Sequence, residues 1–309
     1  MASHPVLASN VAIVQRRPFV DSTIVSDYCA LTKPDVNVLI AITTAAAFYI
    51  GSPEALSVFP WIRLLHALIG TVLVASGAAT LNQWMEHRFD ARMRRTARRP
   101  VAAGRIDPSS ARSFGTVLSF AGISYLTVAT GPLASGLAAV TLLSYLFLYT
   151  PLKRLTPLCT VIGAFPGAVP PLIGWAAARG RLDPEAWVLY AIVFLWQFPH
   201  FMAIAWMYRD DYERAGYLVL PRGHARVRLV TLQTLLPLLA LLPLSLFPVL
   251  AGEPSMFYVI GAVSLGLWFL CYGVRLTLRR SGSAARQLLL ASIIYLPSLF
   301  VLMVLRGSL

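Results

Sequence analysis

The 309-residue chain is 57% hydrophobic and only 13% charged, about half the charge of an average globular protein, which excludes an ordinary water-soluble domain. Its formal charge of +13 does not signal a nucleic-acid partner. The basic residues fall in short loops between apolar runs, without interleaved aromatics, where they set topology and meet anionic headgroups.

In chain order, residues 1–25 read as a polar, mobile cytoplasmic tail. Arg16 and Arg17 lie within it, but no apolar run long enough for a cleavable signal follows them. Apolar runs of roughly the 20 residues needed to cross a bilayer then recur at residues 36–52, 64–84, 114–130, 133–149, 158–178, 187–207, 229–250, 256–276 and 288–305. The expected fold is therefore all-α: one polytopic membrane bundle over residues 26–309 with about nine transmembrane helices. Thr130-Gly131-Pro132 alone divides the third run from the fourth, which implies a tight turn. Pro166, Pro170, Pro171, Pro199, Pro237, Pro243 and Pro297 lie inside apolar runs. A membrane helix tolerates such prolines, which open the backbone beside a cavity. Cys29, Cys159 and Cys271 are widely spaced, form no CxxC pair and read as isolated thiols.

Counting Lys and Arg by alternate loops orients the bundle. One side takes 22 of the 26 basic residues, and the other only Arg63, Arg179, Arg181 and Arg306. The N-terminus is expected in the cytoplasm and the C-terminus outside.

With 13 acidic residues in the chain, their placement is informative. The second run ends in Asn82, Glu86 and Asp90, which step by four and share one face of a continuing helix. Eight residues spread that face over about 12 Å. Two carboxylates and an amide carbonyl can hold a hard divalent cation such as Mg²⁺, which prefers oxygen ligands and bridges to phosphates. Arg94, Arg95, Thr96, Arg98, Arg99 and Pro100 follow, a basic run suited to phosphate oxygens. The plainer reading is an amphipathic helix end with topogenic arginines.

The sixth run ends alike, in Trp196-Gln197-Phe198-Pro199-His200 and then Tyr208-Arg209-Asp210-Asp211-Tyr212-Glu213-Arg214. Four spans separate the two acidic ends, so both face one compartment. Facing a common cavity, they can clamp a diphosphate through metal ions. His200 lies within the membrane, where an ionisable group is by default a functional candidate. The alternative is a histidine that bonds between helices beside Gln197. Lys153 and Arg154 alone read as no more than topogenic.

Together these residues resemble the UbiA superfamily of intramembrane prenyltransferases, and within it the heme-farnesylating branch. The resemblance spans residues 31–221, beginning at Leu31-Thr32-Lys33-Pro34. Its first stretch runs from Asn82, Glu86 and Asp90 through Met93, Arg95, Thr96, Arg99 and Pro100 to Gly104. The second is Tyr149-Thr150-Pro151-Leu152-Lys153-Arg154 with Thr156-Pro157. The third joins Gly163, Gly167-Ala168, Pro170-Pro171 and Gly174-Trp175. The last joins Trp196-Gln197, Pro199-His200-Phe201, Tyr208-Arg209, Asp211-Tyr212 and Arg214-Ala215-Gly216. The first stretch is common to the superfamily, whereas the third and fourth are similar to the heme branch in particular. Glu86 stands where the superfamily more often has Asp, and tyrosines 208 and 212 where other branches have Asp. Cys159 replaces a common Asn, and Asp35 a frequent basic residue.

The resemblance implies transfer of farnesyl from farnesyl diphosphate to a vinyl group of heme B, with heme as substrate and Mg²⁺ as cofactor. Asn82, Glu86, Asp90, Asp210 and Asp211 would hold the metal, and Arg95, Arg99, Lys153, Arg154 and Arg209 the diphosphate. Trp196, Gln197 and His200 would serve the heme, His200 joining Asn82, Glu86, Asp90 and Asp211 as catalytic groups. The expected setting is a bacterial-type inner membrane, with the site at the cytoplasmic face, lipid around it and a downstream heme-modifying membrane enzyme as a further partner. Two other functions stay open: prenylation of an aromatic quinone precursor, and secondary transport, which also uses Pro- and Gly-broken spans but puts its charged site near the midplane.

Overall fold

The computed structural model describes residues 24–52, 58–250 and 256–306. The expected N-terminal tail lies outside these residues except for Ile24 and Val25, which open the first helix. The helices, in order, are α1 (Ile24–Leu31), α2 (Pro34–Gly51), α3 (Trp61–Asp90), α4 (Pro108–Ala129), α5 (Pro132–Leu143), a π-helical stretch (Ser144–Tyr149) and α6 (Thr150–Leu152). Then come α7 (Cys159–Gly167), α8 (Pro170–Arg179), α9 (Pro184–Met207), α10 (Arg209–Ala215), α11 (His224–Leu250), α12 (Met256–Arg279) and α13 (Gly282–Arg306).

Proline begins α2, α4, α5, α8 and α9, a position where its missing N–H costs nothing and its fixed φ already suits a helix. Asp107 caps α4 by accepting from the amides of Ser109 and Ser110, at 2.8 and 3.4 Å. The expected tight turn is present at Gly131, whose φ of 108° favours glycine.

Among the described residues eight passes are long and apolar enough to cross a membrane, so the protein is an integral membrane protein. The ninth expected span, residues 114–130, lies on α4. It has the length, but its serines and glycines leave it too polar to stand with the other eight. It packs along α3, where Gly77 meets Gly115 and Ser119, and Gly122 meets Val74. Small residues let two backbones approach where lipid supplies no hydrophobic drive between helices. Gly174 does the same for α8 against α2, since a Cβ there would collide with the Thr44 carbonyl oxygen.

The helices pack as two groups, α2–α5 with α8, and α9 with α11–α13, joined where α7 and α8 meet α9 and where α13 meets α2. Large apolar side chains such as Val117, Phe120, Val128, Phe147 and Leu236 point outward, as a lipid-facing surface requires.

Two passes are irregular. The expected run at 158–178 is broken at Ala168-Val169, before Pro170 and Pro171, into α7 and α8. The expected run at 133–149 leaves α-helical form at Ser144, and the Thr150 amide bonds back five residues to the Tyr145 carbonyl. Such π-helical turns occur often at functional sites.

Candidate active site

Helix α3 continues six residues past the end of its apolar run at Trp84. Asn82, Glu86 and Asp90 therefore share one face as their spacing requires. All three are buried, at 1%, 6% and 1% exposure. The Asn82 amide donates to Glu86 Oε2 at 2.9 Å and to the Thr150 hydroxyl at 3.2 Å. A buried carboxylate needs a partner, and each one here has a cation. Lys153 Nζ lies 3.0 Å from both Glu86 oxygens, and Arg99 Nη1 lies 2.7 Å from Asp90 Oδ2. Asp90 Oδ1 is buried without a partner.

The π-helical stretch and α6 carry Lys153 to this face. Its ammonium sits 4.5 Å from the centre of the Tyr149 ring. Burial pulls the Lys153 amine down, but the Glu86 carboxylate outweighs it and holds the amine well above its ordinary value.

The turns after α3 join the two acidic helix ends. The Arg95 amide donates to Asp211 Oδ2 at 3.1 Å, and the Arg95 side chain donates to the Tyr212 hydroxyl at 3.1 Å while lying against the Tyr208 ring. Asp211 also accepts from Arg214. Thr96 fixes these turns by donating to the Asp90 carbonyl at 3.0 Å. Arg154 stacks on Phe89 at 4.7 Å.

The five expected metal ligands do not form one cage. Among the described residues no three His, Cys, Asp or Glu side chains converge on a metal position. Asn82, Glu86 and Asp90 line α3, Asp211 is tied to Arg95 and Arg214, and the Asp210 side chain stays 76% exposed. The physical reason is spacing: eight residues of helix put Asn82 and Asp90 about 12 Å apart, while the Arg95 amide and Arg214 hold Asp211 at α10. Arg209 likewise turns back on α9, donating to the Trp206 carbonyl at 3.0 Å. The unpartnered Asp90 oxygen, with the Glu86 and Asn82 oxygens along the same face, still fits a hard divalent ion that carries diphosphate.

Sequence reasoning gave Lys33 no role, yet its Nζ lies 3.3 Å from Asn82 Oδ1. It holds a left-handed backbone, φ 51°, between α1 and α2. Burial first, then Arg99 and Lys153, pull it down to about 7. Helix α1, also unexpected, is tied down by Asp27, which accepts a forked bond from Arg105 at 2.8–3.0 Å. Leu31 packs it against Val101, Ile106 and Ala111, a contact between distant parts of the chain that leaves no local sequence signal.

The expected heme group sits apart, midway along α9. Trp196 donates to the Ser292 carbonyl at 2.8 Å and stacks on His200, with ring centres 4.8 Å apart. His200 Nδ1 lies 2.8 Å from Ser292 Oγ, whose own proton goes to the Leu289 carbonyl at 2.6 Å. Nδ1 is therefore the donor, and the neutral imidazole keeps its free lone pair on Nε2. Gln197 instead bonds the Ala164 carbonyl at 3.1 Å and fills the notch beside Gly167. It supports the break between α7 and α8.

With this geometry in place, the sequence profile of the UbiA prenyltransferase family matches residues 40–296. The chain belongs to that family. It is 48% identical over 285 residues to the protoheme IX farnesyltransferase of Solibacter usitatus, covering 90% of this chain and 98% of the relative. It is 42% identical over 297 residues to the protoheme IX farnesyltransferase of Koribacter versatilis, covering 94% and 95%. Its fold is similar to a digeranylgeranylglyceryl phosphate synthase, with a TM-score of 0.71 at 15% identity over 92% of this chain and 98% of the other. A UbiA homolog from Archaeoglobus fulgidus, bound to GPP and Mg²⁺, gives 0.63 at 14% identity over 90% and 99%.

Proposed function

We propose that the chain is a protoheme IX farnesyltransferase, moving the farnesyl group of farnesyl diphosphate to a vinyl group of heme B and releasing diphosphate, with heme O as product. The observation that carries this reading is its match along 98% of a relative of that name at 48% identity. The buried carboxylate ladder ringed by Lys33, Arg99 and Lys153 supports it, because it suits an anionic, metal-binding leaving group.

In the reaction the farnesyl C1–O bond breaks and its electron pair leaves with the diphosphate. Asn82, Glu86, Asp90 and Asp211 would hold Mg²⁺, which supplies positive charge to the departing oxygens. Arg95, Arg99, Lys153 and Arg154 face the same oxygens, and their attraction grows as charge builds on the leaving group. Asp210, largely exposed, and Arg209, turned back on α9, belong to the rim. The bundle interior keeps water from the allylic cation. The vinyl carbon then bonds to C1, and water adds to the resulting cation with loss of a proton. The protein would lie in a bacterial-type inner membrane, with its N-terminus and active site at the cytoplasmic side and its product passed to a downstream heme-modifying membrane enzyme.

Purified protein in lipid, given heme B, farnesyl diphosphate and Mg²⁺, is expected to yield a metal-dependent product heavier by farnesyl plus water. Prenylation of an aromatic acceptor instead of heme would move the substrate. No transfer to any acceptor would reopen transport.

The heme assignment rests on Trp196 and His200, with Nε2 of His200 free to accept a proton or meet the heme iron. His200→Ala should raise KM for heme about ten-fold or more, on the loss of one such contact, and leave KM for farnesyl diphosphate unchanged. Equal increases in both would refute the assignment.

A further inference from the structure

Tyr217 follows Gly216, whose φ of 79° turns the chain back after α10. The neighbouring Leu218 amide donates to the Lys153 carbonyl at 2.8 Å, and the Tyr217 amide to the Tyr212 carbonyl at 2.9 Å. These bonds fix the turn against the segment that carries Lys153. The Tyr217 ring packs between Phe89 and Tyr212, with ring centres 5.8 and 5.9 Å away, and the residue is only 4% exposed.

Its hydroxyl is buried with no hydrogen-bond partner. An orphaned hydroxyl costs stability, so a group this well packed around is expected to have a use. The oxygen points toward Glu86 without reaching bonding geometry, and Glu86, Lys153 and Asp90 are the charges it feels. A phenol is neutral at ordinary working pH, so the group can serve as a donor.

We infer that Tyr217 is a further diphosphate-binding residue, its hydroxyl donating to an oxygen of the prenyl diphosphate held between Glu86, Lys153 and Asp90. This rests on the prenyl-transfer reading, since it needs an anion beside Lys153. It adds a neutral donor to a site otherwise built of cations. Such a donor strengthens as its acceptor gains charge, so it favours the departing diphosphate over the intact ester. No proton moves, and the hydroxyl stays whole through the reaction.

The test is calorimetric binding of inorganic pyrophosphate and of farnesyl diphosphate, with Mg²⁺, to the full chain in lipid nanodiscs. Tyr217→Phe removes one oxygen and leaves the ring. Kd for both ligands should rise about ten-fold, the usual effect of a hydrogen bond to a charged group, with no fall in thermal midpoint. The opposite shift is expected from 3-fluorotyrosine at 217, which keeps the shape and donates more strongly. This second variant carries the test if the phenylalanine protein does not fold. Unchanged Kd in either folded variant, or a Tyr217→Phe protein that loses stability and keeps its affinity, would overturn the inference. Because binding is read without heme, wild-type protein that binds pyrophosphate but farnesylates no heme would count against the proposed function alone.

Discussion

Asp90→Ala is expected to give a folded protein whose farnesyl transfer falls about 10³-fold or more. Asp90 is 1% exposed, and one of its oxygens is buried with no protein partner, the condition of a ligand that waits for an ion. Losing a metal contact removes several kcal/mol of charge stabilisation at the departing diphosphate, and each 1.36 kcal/mol is ten-fold in rate. The fold should survive because the freed partner, Arg99, has a side chain 25% exposed and can turn to water. Steady-state assay beside a thermal melt separates the two effects. A well-folded variant with near-normal turnover would remove Asp90 from the metal site.

Lys153→Met is expected to damage both stability and activity, through different causes. The side chains of Lys153 and Glu86 are 13% and 8% exposed, so neither reaches water freely. Breaking a buried pair from one side leaves an uncompensated charge and costs about 3–5 kcal/mol, read as a lowered melting midpoint. Turnover should fall about 10²-fold or more, as when a preorganised electrostatic contact to a developing anion is lost. Adding Glu86→Gln should restore most of the midpoint and none of the turnover. Recovery of turnover in the double variant would show that Lys153 serves the fold alone.

The ladder on α3 was legible because a step of four residues puts side chains on one helix face whatever surrounds it. The same step carries the helix on to Asp90, although the apolar run stops at Trp84. Residues 114–130 read as a span from their Val, Ile, Leu and Phe, but the serines and glycines that let α4 lie close to α3 keep it less apolar than the eight passes. Lys33 and Tyr217 stayed hidden for another reason. Each reaches the site through a turn at positive φ, Lys33 by its own and Tyr217 by that of Gly216. Such turns leave no periodic trace, and the contacts they create join residues far apart in sequence. The break before Pro170 was foreseeable from proline chemistry, but its support by Gln197 depends on tertiary packing.

The π-helical stretch from Ser144 to Tyr149 has a consequence for how such proteins diverge. Its five-residue hydrogen-bond spacing is that of an α-helix that has absorbed one extra residue. The widened turns take up that residue, so the chain beyond keeps the phase an unbroken α-helix would give it. Deleting it would close the bulge and leave Lys153 on the side of Glu86. In this segment, one gap in an alignment is compatible with an unchanged site, whereas a change of the lysine itself is not.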